Sequence, residues 1–222
     1  MSAHAYTEDQ LVEQPAIGLF AELGWQTVSA MEEVFGKDGT LGRETPGEVV
    51  LLSRLRAALA KLNPSLPPEA ITAAVDELTR DRSAMSPASA NREVYALLKE
   101  GIPVSVPDRE EEATPHPDPL LARGGEGRRS RGGQKTERVR VIDWQIPANN
   151  DFLLVSQFSV TSDLYTCRPD LVGFVNGLPL VVIELKKPGV PARAGFEENL
   201  THHKQQIPSV FWFNARLIKS NG

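Results

Sequence analysis

The chain has 222 residues, 41% of them hydrophobic, and its 24 basic and 29 acidic side chains give a formal net charge of −5. This hydrophobic content is enough for a sizeable core and excludes a wholly disordered chain. The single cysteine, Cys167, excludes a disulfide scaffold and a cysteine-rich zinc site. No apolar run approaches the ~18 residues of a membrane span, and the first residues contain no apolar signal core. We therefore expect a soluble, cytoplasmic protein with no membrane partner.

The first part of the chain, residues 1–106, is predicted to be mostly helical. Thr7 and Gln10 have the spacing of a capping box, and the helix that follows them is expected to end near Gly24. Pro15 cannot donate a backbone hydrogen bond, so it must either kink this helix or begin its regular part. Apolar residues at helical spacing predict three further helices, at 48–62, 69–79 and 89–99.

Residues 107–136 have a different composition, with five glycines and four prolines. Such a segment cannot offset the entropy lost on ordering by burying apolar surface, so we predict a disordered insertion. Its arginines, such as Arg128 and Arg129, can touch phosphates, but a solvated loop whose charges cancel is the favoured interpretation.

The last part of the chain, residues 137–222, is predicted to form the sheet core of a single domain. Apolar and alternating segments predict strands at 138–144, 151–160, 170–175, 178–187 and 210–219. Asn176-Gly177 is a strong hairpin signal between the third and fourth of these, and a helix is predicted at 195–206. Helices followed by a mixed sheet with one late helix indicate an α/β (α+β) fold, in which helices flank a central mixed sheet.

Three charged residues lie near the ends of two neighbouring predicted strands. Glu184 and Lys186 follow a continuous apolar run and share one face of their strand, and Asp170 begins the preceding strand. Two carboxylates from neighbouring strands provide the oxygen ligands of a hard cation such as Mg2+, and the lysine can hold an attacking water or stabilise charge on a phosphate. The same spacing also arises in ordinary solvated ion pairs, and the spacing alone leaves that alternative open.

The hairpin must be irregular if Asp170 and Glu184 are to share a cation. A plain two-residue turn at Asn176-Gly177 would place the two carboxylates on opposite faces of the sheet. We therefore predict a bulged tip at 175–179, with Phe174 opposite Leu178.

These residues carry a resemblance to a known family. Asp170 and Glu184-Leu185-Lys186 resemble the PD-(D/E)xK nuclease motif, and their setting, RPDLVGFVNGLPLVVIELKKP, is similar to the N-terminal nuclease domain of the R subunit of type I restriction enzymes. Other segments resemble the same family: TEDQLVEQPAIGLFAELGW, LRAALAKLNPSLPPEAI, ANREVYALLKEGIPV, VIDWQIPANNDFLLVSQF and QQIPSVFWFNARLIKSNG. The resemblance covers nearly the whole chain except residues 107–136.

The resemblance implies a restriction-endonuclease-like fold and a domain that cuts double-stranded DNA with Mg2+. It implies that Asp170 and Glu184 bind the metal, that the backbone carbonyl of Leu185 also faces it, and that Lys186 is the catalytic lysine. It further implies partners, namely the methyltransferase and specificity subunits of a type I restriction complex. Cleavage in that family is coupled to an ATP-driven translocase.

Three further positions are accessory candidates by the same resemblance. Glu13 matches a recurrent acid of the family, although a solvated helical glutamate is as good an interpretation. Asn199 and His203 occupy the positions of the family's Gln-x-x-x-Tyr pair, so that part of the pattern is altered. The alteration leaves open a non-catalytic module that docks DNA or a partner. The sequence has no G-x-x-x-x-G-K-[ST] loop, so ATP would act only through motor domains expected after residue 222.

Overall fold

The computed structural model describes residues 9–107, 134–162, 164–186 and 201–220. The helices in these ranges are α1 (Gln14–Glu22), α2 (Leu52–Leu62), α3 (Pro68–Thr79), α4 (Pro87–Glu100), α5 (Thr201–Gln206) and α6 (Pro208–Phe213). The strands are β1 (Gln26–Ser29), β2 (Ile102–Pro107), β3 (Gln134–Val139), β4 (Phe152–Ser156), β5 (Val160–Thr161), β6 (Thr166–Cys167), β7 (Leu171–Val175), β8 (Leu178–Leu185) and β9 (Arg216–Ser220). A π-helical turn (Asp9–Glu13) leads directly into α1, and a 3-10 turn (Pro147–Asn149) precedes β4.

The central sheet is mixed and has five strands in the order β1-β4-β7-β8-β9. The outer pairs β1–β4 and β8–β9 are parallel, whereas β4–β7 and β7–β8 are antiparallel. Strands β2 and β3 form a separate antiparallel pair, as do β5 and β6. These directions bring the C-terminal ends of β1, β4, β8 and β9 and the N-terminal end of β7 to the same end of the sheet. We call this row of strand ends, which runs across all five strands, the site edge. The predicted α/β fold with a central mixed sheet is confirmed.

Helices cover both faces of this sheet. On one face, α1 and the turn before it pack on a small cluster made of Val12, Leu154, Leu171, Ile183 and Leu185. On the other face, residues of α2, α3, α4 and α6 join the alternate strand residues in the main core. This alternation follows from the two-residue period of a strand. Among the described residues, none of the helices combines the length and apolar character that crossing a bilayer requires.

The N-terminal helices form close to where the sequence predicts them. The regular part of α1 begins at Gln14, next to Pro15, because a proline is tolerated only where no backbone N–H is needed. The predicted N-cap, Thr7, lies outside the described residues. Helix α4 begins two residues earlier than predicted, because Ser86 caps it by accepting a hydrogen bond from the Ser89 N–H at 3.2 Å.

The tip of the β7–β8 hairpin differs from the prediction. Val175 pairs with Leu178, and the two residues between them, Asn176 (φ 52°) and Gly177 (φ 79°), are both left-handed. This is a regular two-residue turn of the type I′ kind that Asn-Gly favours. The predicted irregular tip at 175–179 and its Phe174–Leu178 pair are therefore wrong.

A bulge changes the register further along the same hairpin. Phe174 pairs with Pro179 but Gly173 pairs with Val181, so Leu180 is an extra residue on β8. Pro179 cannot donate a ladder hydrogen bond, which makes the adjacent position a favourable place for such an insertion. The predicted change of strand parity is confirmed, and only its position was wrong.

Segment 210–219 was predicted as one strand, but it is divided between a helix and a strand. Residues 208–213 form α6, and only Arg216–Ser220 form β9. Val210, Phe211 and Phe213 of α6 are buried in the main core. A short, fully buried helix has the same continuous apolar character as a buried strand, so the pattern could not separate the two.

Residues at both ends of the segment 107–136 also differ from the prediction. Pro107 and the stretch 134–136 belong to the antiparallel pair β2–β3, with Pro107 opposite Gln134. Residues 108–133 lie outside the described residues. Of the predicted helix at 195–206, only Thr201–Gln206 is described, and it is helical.

Candidate active site

Asp170, Glu184 and Lys186 meet at the site edge. Continuing the register Leu171–Ile183 by one residue places Asp170 directly opposite Glu184, so the two side chains share a face of the sheet. The backbone N–H of Leu185 donates to Asp170 Oδ2 at 2.7 Å, which ties this carboxylate to β8. Glu184 is only 7% exposed, whereas Asp170 and Lys186 are half-buried. The structure thus brings together the three residues that the sequence singled out.

The electrostatics of Asp170 reflect this crowding. Burial raises the pKa of Asp170 to about 6, and the negative charges of Glu184 and Glu13 push it in the same direction. The N–H of Leu185 and the positive charge of Lys186 lower this pKa and so oppose those effects. A carboxylate in this position favours either a proton or a cation, because both relieve the burial and the repulsion.

Glu13 reaches the site through Gln157, a residue that the sequence did not single out. Nε2 of Gln157 donates to both carboxylate oxygens of Glu13, at 3.2 and 3.1 Å. The backbone N–H of Gln157 donates to the carbonyl oxygen of Asp170 at 2.9 Å. Glu13 is therefore linked to Asp170 through Gln157. The sequence signal for Gln157 was weak, since it was only a polar residue within a predicted apolar strand.

The neighbouring strand β9 adds a second lysine. Lys219 pairs with Glu184 in the parallel ladder, so both side chains lie on the same face of the sheet. The Lys219 ammonium nitrogen is buried and makes no hydrogen bond within the described part of the chain. The N–H of Lys186 donates to the Ser220 carbonyl at 2.9 Å, which holds the end of β8 against β9.

Helix α5 lies beside the site on the same side as Glu184. Cys167 Sγ donates to Gln206 Oε1 of α5 at 2.9 Å. Burial raises the pKa of the Cys167 thiol, and the charge of Glu184 adds to that effect. Of the two altered family positions, His203 belongs to α5 but its side chain is outside the described set, and Asn199 lies outside the described residues.

An open cleft of about 460 Å3 lies next to Glu13 on the α1 side of the sheet. Glu13 and Gln157 line it together with Ser29 and Met31, near the end of β1. The cleft provides space for a ligand beside Glu13 and Gln157, whereas Asp170 and Glu184 do not line it.

The oxygen groups at this edge suit Mg2+. Among the described residues, no cluster of three or more His, Cys, Asp or Glu side chains is arranged to hold a metal ion. Mg2+ does not need one, because it keeps several waters and is usually held by one or two carboxylates together with phosphate oxygens. The carboxylates of Asp170 and Glu184 and the carbonyl of Leu185 fit that pattern.

Comparison with known proteins places the chain in a family. The sequence profile described as "Type I restriction enzyme R protein N terminus" matches residues 5–117 and 119–222. The type I restriction enzyme HindI endonuclease subunit of Haemophilus influenzae is 32% identical over 220 residues, which are 95% of this chain and 18% of that protein. The type I restriction enzyme SsaAORF53P endonuclease subunit of Staphylococcus saprophyticus is 38% identical over 81 residues, which are 36% of this chain and 9% of that protein. The chain therefore spans less than a fifth of these relatives, and it belongs to the family of type I restriction enzyme R protein N-terminal regions.

Proposed function

We propose that this chain is an endonuclease domain that hydrolyses phosphodiester bonds of double-stranded DNA with Mg2+. The observation that carries the proposal is the bulge at Leu180, which turns Glu184 to the same face as Asp170. Without that extra residue the two carboxylates could not hold one ion. The relatives are named as endonuclease subunits, and these names support the same function.

Each residue of the site has a definite role in this proposal. Asp170, Glu184 and the Leu185 carbonyl hold the ion, which when bound supplies Lewis-acid stabilisation of the reacting phosphate. Lys186 follows Glu184 on the same face, where its ammonium group orients the attacking water or stabilises negative charge that develops on the phosphate. Glu13 is an accessory acid that approaches Asp170 from the α1 side of the sheet. Asn199 and His203 remain accessory candidates from the family pattern alone.

The chain is further proposed to be a single nuclease domain of a longer, cytoplasmic protein. Its relatives are several times longer and are named as type I restriction enzyme subunits. We infer that cleavage is coupled to ATP-driven translocation by motor domains of the longer protein. The methyltransferase and specificity subunits would be its partners, and the specificity subunit would choose the DNA sequence. The nuclease domain itself then contacts DNA mainly through its backbone.

The proposal is tested with supercoiled plasmid, using both the chain alone and the chain grafted in place of the matching segment of the Haemophilus influenzae subunit. We expect Mg2+-dependent nicking or cleavage that the Lys186→Ala change abolishes. The matched control is Lys99→Ala, which removes an exposed lysine in the last turn of α4 and should leave the activity unchanged. DNA binding without cleavage in the graft would favour the docking module instead.

A further inference from the structure

Gln157 connects two acids that come from different layers of the molecule. Glu13 ends the π-helical turn before α1, on one side of the sheet. Asp170 lies at the N-terminal end of β7, facing the same way as Glu184. Gln157 directly follows β4, and it binds Asp170 through its backbone N–H and Glu13 through its side-chain amide. One residue thus fixes both acids at the site edge.

The backbone of Gln157 is strained at this point. Its φ of 57° is in the left-handed region, which costs a residue other than glycine about 1–2 kcal/mol. Asparagine and glycine adopt this conformation more easily, yet neither can extend as far as glutamine. Because the backbone of Gln157 is kept in this unfavourable conformation although a shorter residue would fit it better, we infer that the contact of its long side chain with Glu13 is functional.

The residues on either side of Gln157 are held firmly. Ser156 pairs with Leu171 as the last residue of the ladder, and Phe158 is fully buried. The guanidinium carbon of Arg43 lies 4.1 Å from the centre of the Phe158 ring, and Nη2 of Arg43 donates to the Ser159 carbonyl at 3.0 Å. The amide of Gln157 is therefore presented from a rigid segment.

Glu13 is anchored on its own side. Val12, the residue before it, is 4% exposed and packs in the small cluster with Leu154 and Leu171. Pro15 fixes the start of α1 two residues later. The two hydrogen bonds between Glu13 and Gln157 therefore join two backbone segments that are each anchored by their own packing.

The contact between Gln157 and Glu13 joins a neutral amide to a carboxylate. A primary amide donates to a carboxylate without neutralising it, whereas lysine or arginine would cancel the charge. The contact therefore adds no positive charge next to Glu13, whose carboxylate repels that of Asp170. We propose that Gln157 is a positioning residue of the site, which holds a charged Glu13 beside Asp170 so that acids from both sides of the sheet attract one divalent cation. This inference rests on the proposed function.

The test is Mn2+ binding to the whole chain, measured by isothermal titration, with the unfolding midpoint recorded in metal-free buffer. Gln157→Asn keeps the left-handed backbone and its bond to Asp170, but it shortens the amide so that Glu13 is out of reach. We expect Mn2+ binding to weaken about 10-fold, as for other residues that orient metal ligands. In a Glu13→Gln background the same change should have no further effect on binding.

Gln157→Lys separates positioning from simple structural support. Its ammonium group can still bind Glu13, so a purely structural contact would be restored and Mn2+ binding would recover. We expect the opposite, namely weakened binding with an unchanged unfolding midpoint, because the charge of Glu13 is cancelled. Recovery with lysine, or unchanged binding in Gln157→Asn, would overturn the inference.

A further variant distinguishes this inference from the proposed function. Asp170→Asn should abolish Mn2+ binding altogether. If the original chain and Asp170→Asn bind Mn2+ alike, the metal site itself is wrong and the role of Gln157 is wrong with it. If Asp170→Asn loses binding and Gln157→Asn does not, only the role of Gln157 is overturned.

Discussion

Asp170 is half-buried, lies close to two acids and accepts a hydrogen bond from one backbone N–H, and these surroundings determine how it responds to pH. With a pKa raised to about 6, mainly by burial, it exchanges its proton near neutral pH rather than near pH 4. A proton and a metal ion relieve the same repulsion, so they compete for this carboxylate.

In the metal-free chain, the raised pKa links the stability of the fold to pH. The folded state holds this proton more tightly than the unfolded state, whose pKa is the ordinary 3.8. The resulting stabilisation is complete below about pH 4 and is lost as pH rises through about 6. The Asp170→Asn variant cannot lose a proton at this position. Its free energy of unfolding should therefore increase relative to that of the original chain as pH rises from 5 to 7. Urea unfolding of both proteins across that range measures the difference, and parallel curves would contradict the assignment.

In the metal-bound chain, the pH dependence should be reversed. Mg2+ or Mn2+ should raise the unfolding temperature at pH 7.5 more than at pH 5.5, because protons displace the cation at the lower pH. Asp170→Ala should remove the metal response at both pH values. An equal response in the original chain and the variant, measured by thermal unfolding, would show that the ion binds elsewhere.

The β7–β8 hairpin shows which features of a strand pair a sequence can predict and which it cannot. Asn176-Gly177 correctly predicted a turn, and the need for a shared face correctly predicted a change of register. The position of the extra residue depends on tertiary packing, because the N–H of Leu51 donates to the Gly177 carbonyl at 2.9 Å and fixes the tip against the start of α2. The tip must stay tight, so the bulge lies at Leu180.

This packing predicts a large cost for Gly177→Ala. A Cβ at this position would lie 2.6 Å from the Leu51 carbonyl oxygen, and the φ of 79° is unfavourable for alanine. We expect a loss of about 2 kcal/mol or more in the free energy of unfolding. Gly18→Ala is the matched control: it has open space around it in α1, so it should stabilise the fold by about 0.5–1 kcal/mol. Urea unfolding gives both values, and similar effects at the two glycines would refute the packing argument.

Two arginines at the end of α3 allow a similar comparison. Arg82 has a fully buried side chain that donates to the carbonyls of Leu78, Arg80 and Glu77 and to the carboxylate of Glu93. Arg82→Gln removes the partner of all these acceptors, including the buried Leu78 carbonyl, and breaks the pair with Glu93, so we expect a loss of about 3 kcal/mol. Arg80 binds the same acids but is 47% exposed, so Arg80→Gln should have a much smaller effect in the same unfolding experiment.

The elements that the sequence missed lack a strong local pattern. Strand β1 has only four residues, and none of them is fully buried. Strand β2 alternates buried and exposed residues, but its exposed Pro103 and Pro107 weakened the strand signal. Both strands depend on partners that are distant in the chain: β1 pairs with β4 and β2 pairs with β3. Such pairing cannot be read from a short segment alone.

The site is assembled from four separate parts of the chain: α1 with the turn before it, the end of β4, the β7–β8 hairpin and the end of β9. The strand order brings the ends of β4, β8 and β9 beside the start of β7, and α1 approaches from one face of the sheet. A motif marks Asp170, Glu184 and Lys186, because these lie on two strands joined by one turn. Gln157 and Lys219 belong to no such motif, and only the strand order brings them to the site. In the proposed function, the net charge of the chain also governs how this site meets DNA.

The net charge of −5 opposes long-range attraction to DNA phosphates. We therefore expect the chain alone to bind duplex DNA weakly, with dissociation constants of about 1–100 μM that rise steeply with salt. Ca2+ should tighten this binding, because a cation between Asp170 and Glu184 offsets two negative charges where the phosphate must approach. Fluorescence anisotropy of a labelled 30-base-pair duplex at ~50 and ~200 mM salt, with and without Ca2+, tests both expectations. Nanomolar affinity at the higher salt would show that basic residues elsewhere hold the DNA, and an unchanged affinity with Ca2+ would mean that the phosphate does not approach the carboxylates.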